Sequence, residues 1–254
     1  MLKKWKQGRE DWRAFVARVH EVYGKKEEPG VHTYHCVTDM AYLCTTSVGK
    51  PDIGCIGVVP AQLERDGITT DVYLISLAGT EFVKNQATNI GTDFRVAFER
   101  DNAYLRAIVK AITENIPQGA NLFFVGISLG GMVSQQAAAD ERLKSRYNIL
   151  HVLAVGSPLI CPANRMGTVR RIADKRDLVP HLSVASVFRS KPYRNEEAVE
   201  DGGYKSFVGG HALSYVDADV WKDYDVLGYK NGSASITYDN RKLVYYFAPL
   251  RENP

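Results

Sequence analysis

The sequence predicts an α/β protein whose mostly parallel central sheet is flanked by helices on both faces. Strand-sized apolar runs alternate along the chain with segments of helical periodicity, which is the pattern of strand–helix–strand units. The runs are continuously apolar, as expected of strands that are buried on both faces. The 254 residues contain no internal repeat and no low-complexity tract, so we expect a single domain over residues 1–254.

The elements follow one another in a regular order. An amphipathic helix is expected within residues 11–23, inside an N-terminal segment of residues 1–30 that ends in a polar connector. A buried strand at Val72–Leu77 runs into a glycine turn, and a helix begins near Tyr104 and ends before Pro117. Further elements are expected at Leu122–Val125 (strand), Met132–Ala139 (helix), and Asn148–Val155, Thr168–Ala173 and Lys242–Phe247 (strands).

The composition excludes several classes of protein. The chain carries 32 Lys and Arg against 29 Asp and Glu, a formal charge of +3, and 45% of its residues are hydrophobic. This balance is too apolar for a disordered chain and lacks the basic excess of a nucleic-acid-binding module. Every apolar run is shorter than the roughly 18–20 residues that span a bilayer, so no transmembrane segment is expected.

The N-terminus and the cysteines bear on the compartment. The basic start Met1–Lys6 is followed by further polar and charged residues where a secretory signal would be apolar, so no signal peptide is expected. A cytoplasmic location and export without a cleavable signal both remain open. We expect Cys36, Cys44, Cys55 and Cys161 to be reduced thiols, because a chain of this length can be stabilised by its core.

The most informative motif is a G-x-S-x-G pattern at Gly126–Gly130, between a predicted strand and a predicted helix. A nucleophile in this position sits on a turn so tight that its side chain projects above the sheet, and only glycine fits beside it. The alternative is an ordinary glycine-rich loop. Because the strand ends and the helix begins within two residues of Ser128, we predict that Ser128 is a nucleophile.

A serine nucleophile needs a base, most often histidine, oriented by a carboxylate. In α/β-type serine hydrolases these partners follow the serine in the order Asp or Glu, then His, which leaves His151, His181 and His211. His151 lies inside a predicted strand, where a core or surface role is expected, and His181 lies only four residues after Asp177. His211 stands on a glycine-flanked loop and is the predicted base.

The acid is predicted on the loop after the strand Thr168–Ala173, because open α/β sheets collect active-site groups at the carboxyl ends of their strands. Asp177 is preferred because Pro180 stiffens the loop that holds it. Asp174, nearer the strand end, is the alternative.

An acyl-transfer site also needs two N–H donors for the oxyanion of the tetrahedral intermediate. The N–H of Leu129, directly after the nucleophile, is the first predicted donor. The N–H of Thr80 is the second, because Ala78–Thr80 follows an earlier strand through a glycine turn. A plain turn between a strand and a helix is the alternative for this segment.

Five segments resemble, in order, the successive signatures of the class 3 lipase family. They are Leu77–Thr80, Gly126–Gly131, Val155–Pro158, Asp177–Pro180 and His211. The resemblance implies an α/β-hydrolase fold and places the family's catalytic triad on Ser128, Asp177 and His211.

The same resemblance implies oxyanion donors at Thr80 and Leu129 and a lid over residues 81–99, for which a solvated loop is the alternative. The chain departs from the family where Ala78, Ile127 and Leu178 replace its common Arg, His and Pro. None of these three is a triad residue, so the departures leave the chemistry intact and the substrate class open among triacylglycerols, phospholipids and feruloyl esters.

The function expected from these residues is a serine carboxylester hydrolase, a lipase or esterase that cleaves acyl esters through an acyl-enzyme and needs no cofactor or metal. Two alternatives use the same fold: a noncatalytic binding module and an acyltransferase with the same triad.

Two other signals carry less weight. A zinc site at His32, His35 and the nearby cysteines lacks a C-x-x-C pair, so packed cysteines are the simpler interpretation. The basic residues Lys3, Lys4, Lys6, Arg170, Arg171, Lys175 and Arg176 would favour peripheral contact with an anionic lipid surface, or simply face water.

Overall fold

The fold is seen in a computed structural model, which describes residues 21, 27–45, 55–79, 102–160, 163–182, 195–205 and 207–247. The strands are β1 (Val31–Tyr34), β2 (Cys55–Arg65), β3 (Ile68–Leu77), β4 (Asn121–Ile127), β5 (Asn148–Val155), β6 (Thr168–Asp174), β7 (Glu197–Glu200), β8 (Ser235–Asp239) and β9 (Val244–Phe247). The α-helices are α1 (Val37–Thr45), α2 (Ala103–Asn115), α3 (Leu129–Ala139), α4 (Glu141–Lys144), α5 (Phe207–Ala212) and α6 (Ala218–Trp221). Short 3-10 helices lie at Val179–His181, Ser214–Val216 and Asn240–Lys242.

All these strands belong to one sheet with the order β1-β8-β2-β3-β4-β5-β6-β7, and β9 pairs with the first part of β2. Neighbours from β3 to β7 are parallel, whereas β2 is antiparallel to β3, β8 and β9. Since β1 is antiparallel to β8, only β1 and β2 oppose the common direction within the described chain. The predicted α/β class with mostly parallel strands is therefore confirmed.

Helices cover both faces of the sheet. On one face α2 and α3 contribute apolar side chains to a core with Phe124 and Val152, and on the other α1 and α6 do so with Phe123 and Leu153. The helix α2 begins where Asn102 accepts a hydrogen bond from the N–H of Leu105, a standard N-cap that satisfies one free donor of the first turn. The parallel strands β4, β5 and β6 end side by side at one edge of the sheet.

The antiparallel half of the sheet differs from the sequence prediction. The strand predicted at Val72–Leu77 begins earlier, at Ile68, and pairs along its whole length with β2, which was not predicted. The connecting residues Asp66 and Gly67 have φ values of 52° and 76°, as a two-residue hairpin turn requires. The end of the hairpin is exposed on both faces, so its residues are polar and lack the apolar run that predicts a strand.

Several predictions fall on parts of the chain that the structure does not describe. The N-terminal helix within residues 11–23, apart from residue 21, lies outside the described residues, as do the segment 81–99 and Cys161. Within the described residues, no disulfide involves Cys36, Cys44 or Cys55. No helix in the described ranges is both long enough and apolar enough to cross a membrane.

His151 has a core role. It is buried in β5, its Nε2 lies 3.0 Å from the carbonyl oxygen of Leu227, and its ring meets Phe123 edge to face at 5.0 Å between centroids. Burial lowers its pKa from 6.5 to about 3, and Arg170 and Arg65 add a smaller effect of the same sign. His151 is therefore neutral in the folded protein and donates its Nε2 proton to Leu227.

Acidification is expected to destabilise the protein through His151. Because the folded-state pKa lies below the unfolded value, the contribution of neutral His151 is complete above pH 6.5 and is lost as the pH falls toward 3. Between pH 7.5 and pH 5 this amounts to about 2 kcal/mol of unfolding free energy. Urea titrations of the wild type and His151→Gln at both pH values measure this change in unfolding free energy. The control is His35→Gln, because His35 is exposed. Equal pH dependence in the wild type and His151→Gln would contradict the assignment.

Candidate active site

Ser128 occupies a sharp turn between β4 and α3. Its backbone has φ 55° and ψ −117°, a left-handed conformation that costs a residue with a side chain on the order of 1–3 kcal/mol. The turn is held by a hydrogen bond of 2.8 Å from the Ser128 N–H to the carbonyl oxygen of Val155 at the end of β5. The turn thus ties the start of α3 to the two strand ends beside it.

Glycines flank Ser128 because the backbone leaves no room for a side chain. A Cβ atom at Gly126 would lie 2.3 Å from the carbonyl oxygen of Gly130. A Cβ atom at Gly130 would lie 2.1 Å from the carbonyl oxygen of Leu77, at the end of β3. The G-x-S-x-G spacing therefore follows from the close approach of α3 to the ends of β3 and β4.

Ser128, His211 and Asp177 form one chain of hydrogen bonds. The Nε2 atom of His211 lies 2.9 Å from the Ser128 Oγ, and its Nδ1 lies 2.7 Å from the Asp177 Oδ2. Ser128, His211 and Asp177 are 3%, 2% and 0% exposed, respectively. A carboxylate only accepts, so Nδ1 carries a proton toward Asp177, and in the neutral ring Nε2 is the acceptor for the Ser128 hydroxyl. This arrangement can take up the serine proton during attack on an acyl carbon.

The Asp177 carboxylate is fixed by its own loop and by a neighbouring tyrosine. Its Oδ1 accepts the N–H of Val179 at 2.9 Å, and the Asp177 backbone N–H donates to the carbonyl oxygen of Asp174 at 3.0 Å. Pro180 follows inside the 3-10 helix Val179–His181. A further bond, from the Tyr215 hydroxyl to Oδ2, measures 2.6 Å.

The alternative residues occupy other positions. Asp174 is also buried, but its carboxylate accepts from the Arg176 and Gly202 N–H groups and from the Ser214 hydroxyl. His181 is exposed at the end of its 3-10 helix, and His151 lies in the core. Within the described residues, His211 and Asp177 are the pair that reaches Ser128.

Of the two predicted oxyanion donors, Leu129 lies within the described residues. The Leu129 N–H belongs to the first turn of α3, where N–H groups have no intrahelical acceptor and the helix dipole favours negative charge. A Cβ at Gly79 would lie 3.1 Å from the Ser128 Cβ, so the end of β3 also adjoins the serine. Thr80, the second predicted donor, lies outside the described residues.

Tyr104, to which the sequence pattern gave no role in the site, supports the backbone that follows β3 beside Ser128. The Tyr104 hydroxyl, on α2, lies 3.1 Å from the carbonyl oxygens of both Cys55 and Ala78. The Ala78 N–H donates in turn to the Cys55 carbonyl at 3.0 Å. Burial raises the pKa of Tyr104 well above its ordinary value, so the hydroxyl remains a donor. Nothing in its helical spacing could have indicated this role.

The basic residues of β6 do not form one charged patch. The neighbours Arg170 and Arg171 lie on opposite faces of β6. Arg171 is buried and its Nη1 lies 3.1 Å from a carboxylate oxygen of Glu197, whereas Arg170 donates to the carbonyl of Gly228. Burial lowers the pKa of the Arg171 guanidinium, with Glu197 acting in the opposite direction. In the described part of the chain no group of three His, Cys, Asp or Glu side chains could share a metal ion.

Comparisons with known proteins find a weak structural likeness. No family model matches the sequence, and no curated protein matches it. A native propeptide complex of a lipase from Rhizomucor miehei is similar with a TM-score of 0.32 and 13% identity, over 68% of this chain and 54% of that chain. A deletion mutant of that complex is similar with a TM-score of 0.30 and 14% identity, over 69% and 55%. The chain spans about half the length of these solved structures.

Proposed function

We propose that this chain is a serine carboxylester hydrolase with an α/β-hydrolase fold. The observation that carries the proposal is the buried hydrogen-bond chain from the Ser128 hydroxyl through His211 to Asp177, with distances of 2.9 and 2.7 Å. The strained backbone of Ser128 adds support, because such conformations cluster at functional sites. The class 3 lipase signatures that the sequence resembles lie on the same residues.

The reaction proceeds in two halves. The Ser128 Oγ attacks the ester carbonyl carbon while the His211 Nε2 takes the hydroxyl proton, and Asp177 stabilises the resulting imidazolium. The Leu129 N–H, with Thr80 as the proposed second donor, binds the oxyanion of the tetrahedral intermediate. The ester C–O bond then breaks, and His211 returns the proton to the leaving alcohol. A water molecule releases the acid from the acyl-enzyme by the same steps, with His211 as base and then acid.

Exposed apolar side chains beside the proposed acid favour a lipid substrate. Leu178 and Leu182 are 59% and 55% exposed at the two ends of the turn that follows Asp177. Arg176, on the same loop, is also exposed and contributes on the order of 1 kcal/mol if it approaches an anionic lipid surface. We therefore propose that the substrates are acyl lipids and that the chain contacts their surface peripherally.

Labelling with a fluorophosphonate probe tests the proposal. The folded chain is expected to form one adduct, and mass spectrometry of a digest is expected to place it on Ser128, because only an activated serine attacks the phosphorus. Heat-unfolded protein is the control and should remain unlabelled. A folded chain that does not react would favour the noncatalytic binding module.

The substrate class is decided by a hydrolysis panel of short p-nitrophenyl esters, triacylglycerol emulsions and phospholipid vesicles. Turnover of the emulsions or vesicles is expected. Turnover of the soluble esters alone would replace the lipase assignment with that of an esterase, and esters formed with an added alcohol would indicate an acyltransferase.

A further inference from the structure

Tyr215 contacts the proposed acid directly, and its role as a donor follows from the atoms around it. The ring is fully buried, and the hydroxyl lies 2.6 Å from the Asp177 Oδ2 and 3.0 Å from the backbone nitrogen of Asp174. The Asp174 N–H can only donate, so it donates to the phenolic oxygen. The single phenolic proton is thereby left for the carboxylate of Asp177.

The oxygen that receives this proton is the one that faces the proposed base. The Asp177 Oδ2 accepts both the Tyr215 hydroxyl and the His211 Nδ1–H, at 2.6 and 2.7 Å, while Oδ1 accepts the N–H of Val179 at 2.9 Å. Three hydrogen-bond donors thus share the negative charge of this carboxylate. Two donors on Oδ2 also prevent the carboxylate from rotating away from the imidazole.

Tyr215 is itself held rigidly. A Cβ at Gly156, which has φ 58°, would lie 2.6 Å from the Tyr215 ring, so the glycine allows the ring to reach Asp177. The Tyr215 ring also stacks on Trp221, with centroids 6.0 Å apart at 23°. Burial and the nearby Asp177 charge raise the pKa of Tyr215 well above its ordinary value, so the hydroxyl stays protonated.

The same residue joins the segment that carries the base to the segment that carries the acid. Tyr215 lies in the 3-10 helix Ser214–Val216, four residues after His211, and binds both Asp174 and Asp177. The adjacent Ser214 hydroxyl donates to the Asp174 Oδ2 at 2.7 Å. Bonds from Ser214 and Tyr215, besides the His211–Asp177 contact, thus fix the distance between acid and base.

We propose that Tyr215 is a positioning residue, which holds the Asp177 carboxylate toward His211 and shares its negative charge with the imidazole. This inference rests on the proposed hydrolase function. The titratable groups close to this contact are Asp174, Asp177, His211 and Tyr215 itself, with the exposed Lys175 and Arg176 on the acid loop.

The variant Tyr215→Phe keeps the ring and removes the donor. Without the Tyr215 hydroxyl, fewer donors share the negative charge of Asp177, so this charge stabilises the imidazolium of His211 more strongly. We therefore expect the free base of His211 to form only at higher pH in the variant. The acidic limb of the kcat/KM profile is expected to move up by about half a pH unit or more. The value of kcat is expected to fall about 10- to 100-fold, as for the loss of a hydrogen bond to a charged group, with KM nearly unchanged.

The matched control is Tyr147→Phe, which removes another buried hydroxyl, 3.0 Å from the Ile116 carbonyl oxygen and away from the site. It is expected to leave the pH profile unchanged. A second probe, 3-fluorotyrosine placed at position 215, keeps the fold and makes the phenol a stronger donor, so the acidic limb is expected to move down. Unchanged profiles, or equal shifts in the control, would overturn the role of Tyr215. A folded wild-type chain without hydrolase activity would instead overturn the proposed function, and the inference with it.

Discussion

Replacing Ser128 with alanine is expected to reduce kcat/KM for a short p-nitrophenyl ester by at least about 10⁴-fold. The substitution removes the oxygen that lies 2.9 Å from the His211 Nε2, so no acyl-enzyme can form. The fluorophosphonate adduct is expected to disappear completely. Steady-state kinetics and labelling of the purified variant measure both effects, and circular dichroism establishes that it is folded.

Ser134 provides a matched control for this variant. It is also buried on α3, and its hydroxyl donates to the Gly131 carbonyl at 2.9 Å within the helix. Ser134→Ala is expected to keep its activity within about threefold, because alanine favours a helix and the lost bond is local. A Ser128→Ala variant as active as Ser134→Ala would show that any ester hydrolysis by this chain does not use Ser128.

The elements that the sequence predicts well are strands buried on both faces and helices bounded by clear breakers. The strand predicted at Asn148–Val155 has those bounds in the structure, and the helix after Tyr104 ends before Pro117 as expected. Continuous apolar runs indicate buried strands, and Gly and Pro residues mark where helices end, so both signals are visible in a single sequence. By contrast, β1 and β7 have four residues each and lie at the sheet edges, so half-exposed side chains leave little periodicity to detect.

In the candidate site, too, some residues can be predicted from the sequence and others only from the structure. The chain order of Ser128, Asp177 and His211, with the turn glycines, was sufficient to select three residues that the structure brings into contact. Tyr215 and Asp174 act through bonds between segments about 40 residues apart, and no motif marks such bonds. Their partners depend on how the segments after β6 and β7 pack, which only the folded chain determines.

Basic residues that are adjacent in the sequence do not necessarily form one charged surface in the folded protein. Arg170 and Arg171 are adjacent, yet alternation along β6 sends Arg171 into the core beside Glu197 and Arg170 over the ring of Tyr229 at 4.7 Å. The Lys175 Nζ lies 3.9 Å from a carboxylate oxygen of Asp201. Among the four basic residues from Arg170 to Arg176, Arg176 is therefore the charge best placed to meet the proposed lipid surface next to Leu178.

Replacing Gly130 with alanine is expected to destabilise the fold as well as the site. The new Cβ would lie 2.1 Å from the Leu77 carbonyl oxygen, 2.7 Å from its carbon and 2.8 Å from the Ala78 oxygen. All three are backbone atoms at the end of β3, so no side chain can move aside, and α3 must shift away from the sheet. Overpacking in a core typically costs about 1–3 kcal/mol, and we expect about 3 kcal/mol or more here.

Substitutions at Gly30 and Gly67 serve as controls, because they show what replacing glycine with alanine costs where no atom clashes with the new Cβ. A Cβ at Gly30 would have no atom within 4 Å and the φ is ordinary, so Gly30→Ala is expected to change the unfolding free energy by less than about 0.5 kcal/mol. Gly67 has equally open space but φ +76°, so Gly67→Ala is expected to cost about 1 kcal/mol. Urea unfolding should find Gly130→Ala the least stable, then Gly67→Ala, then Gly30→Ala, with hydrolysis lost only in Gly130→Ala. A Gly130→Ala chain as stable as Gly67→Ala would contradict the close packing of the Ser128 turn against β3.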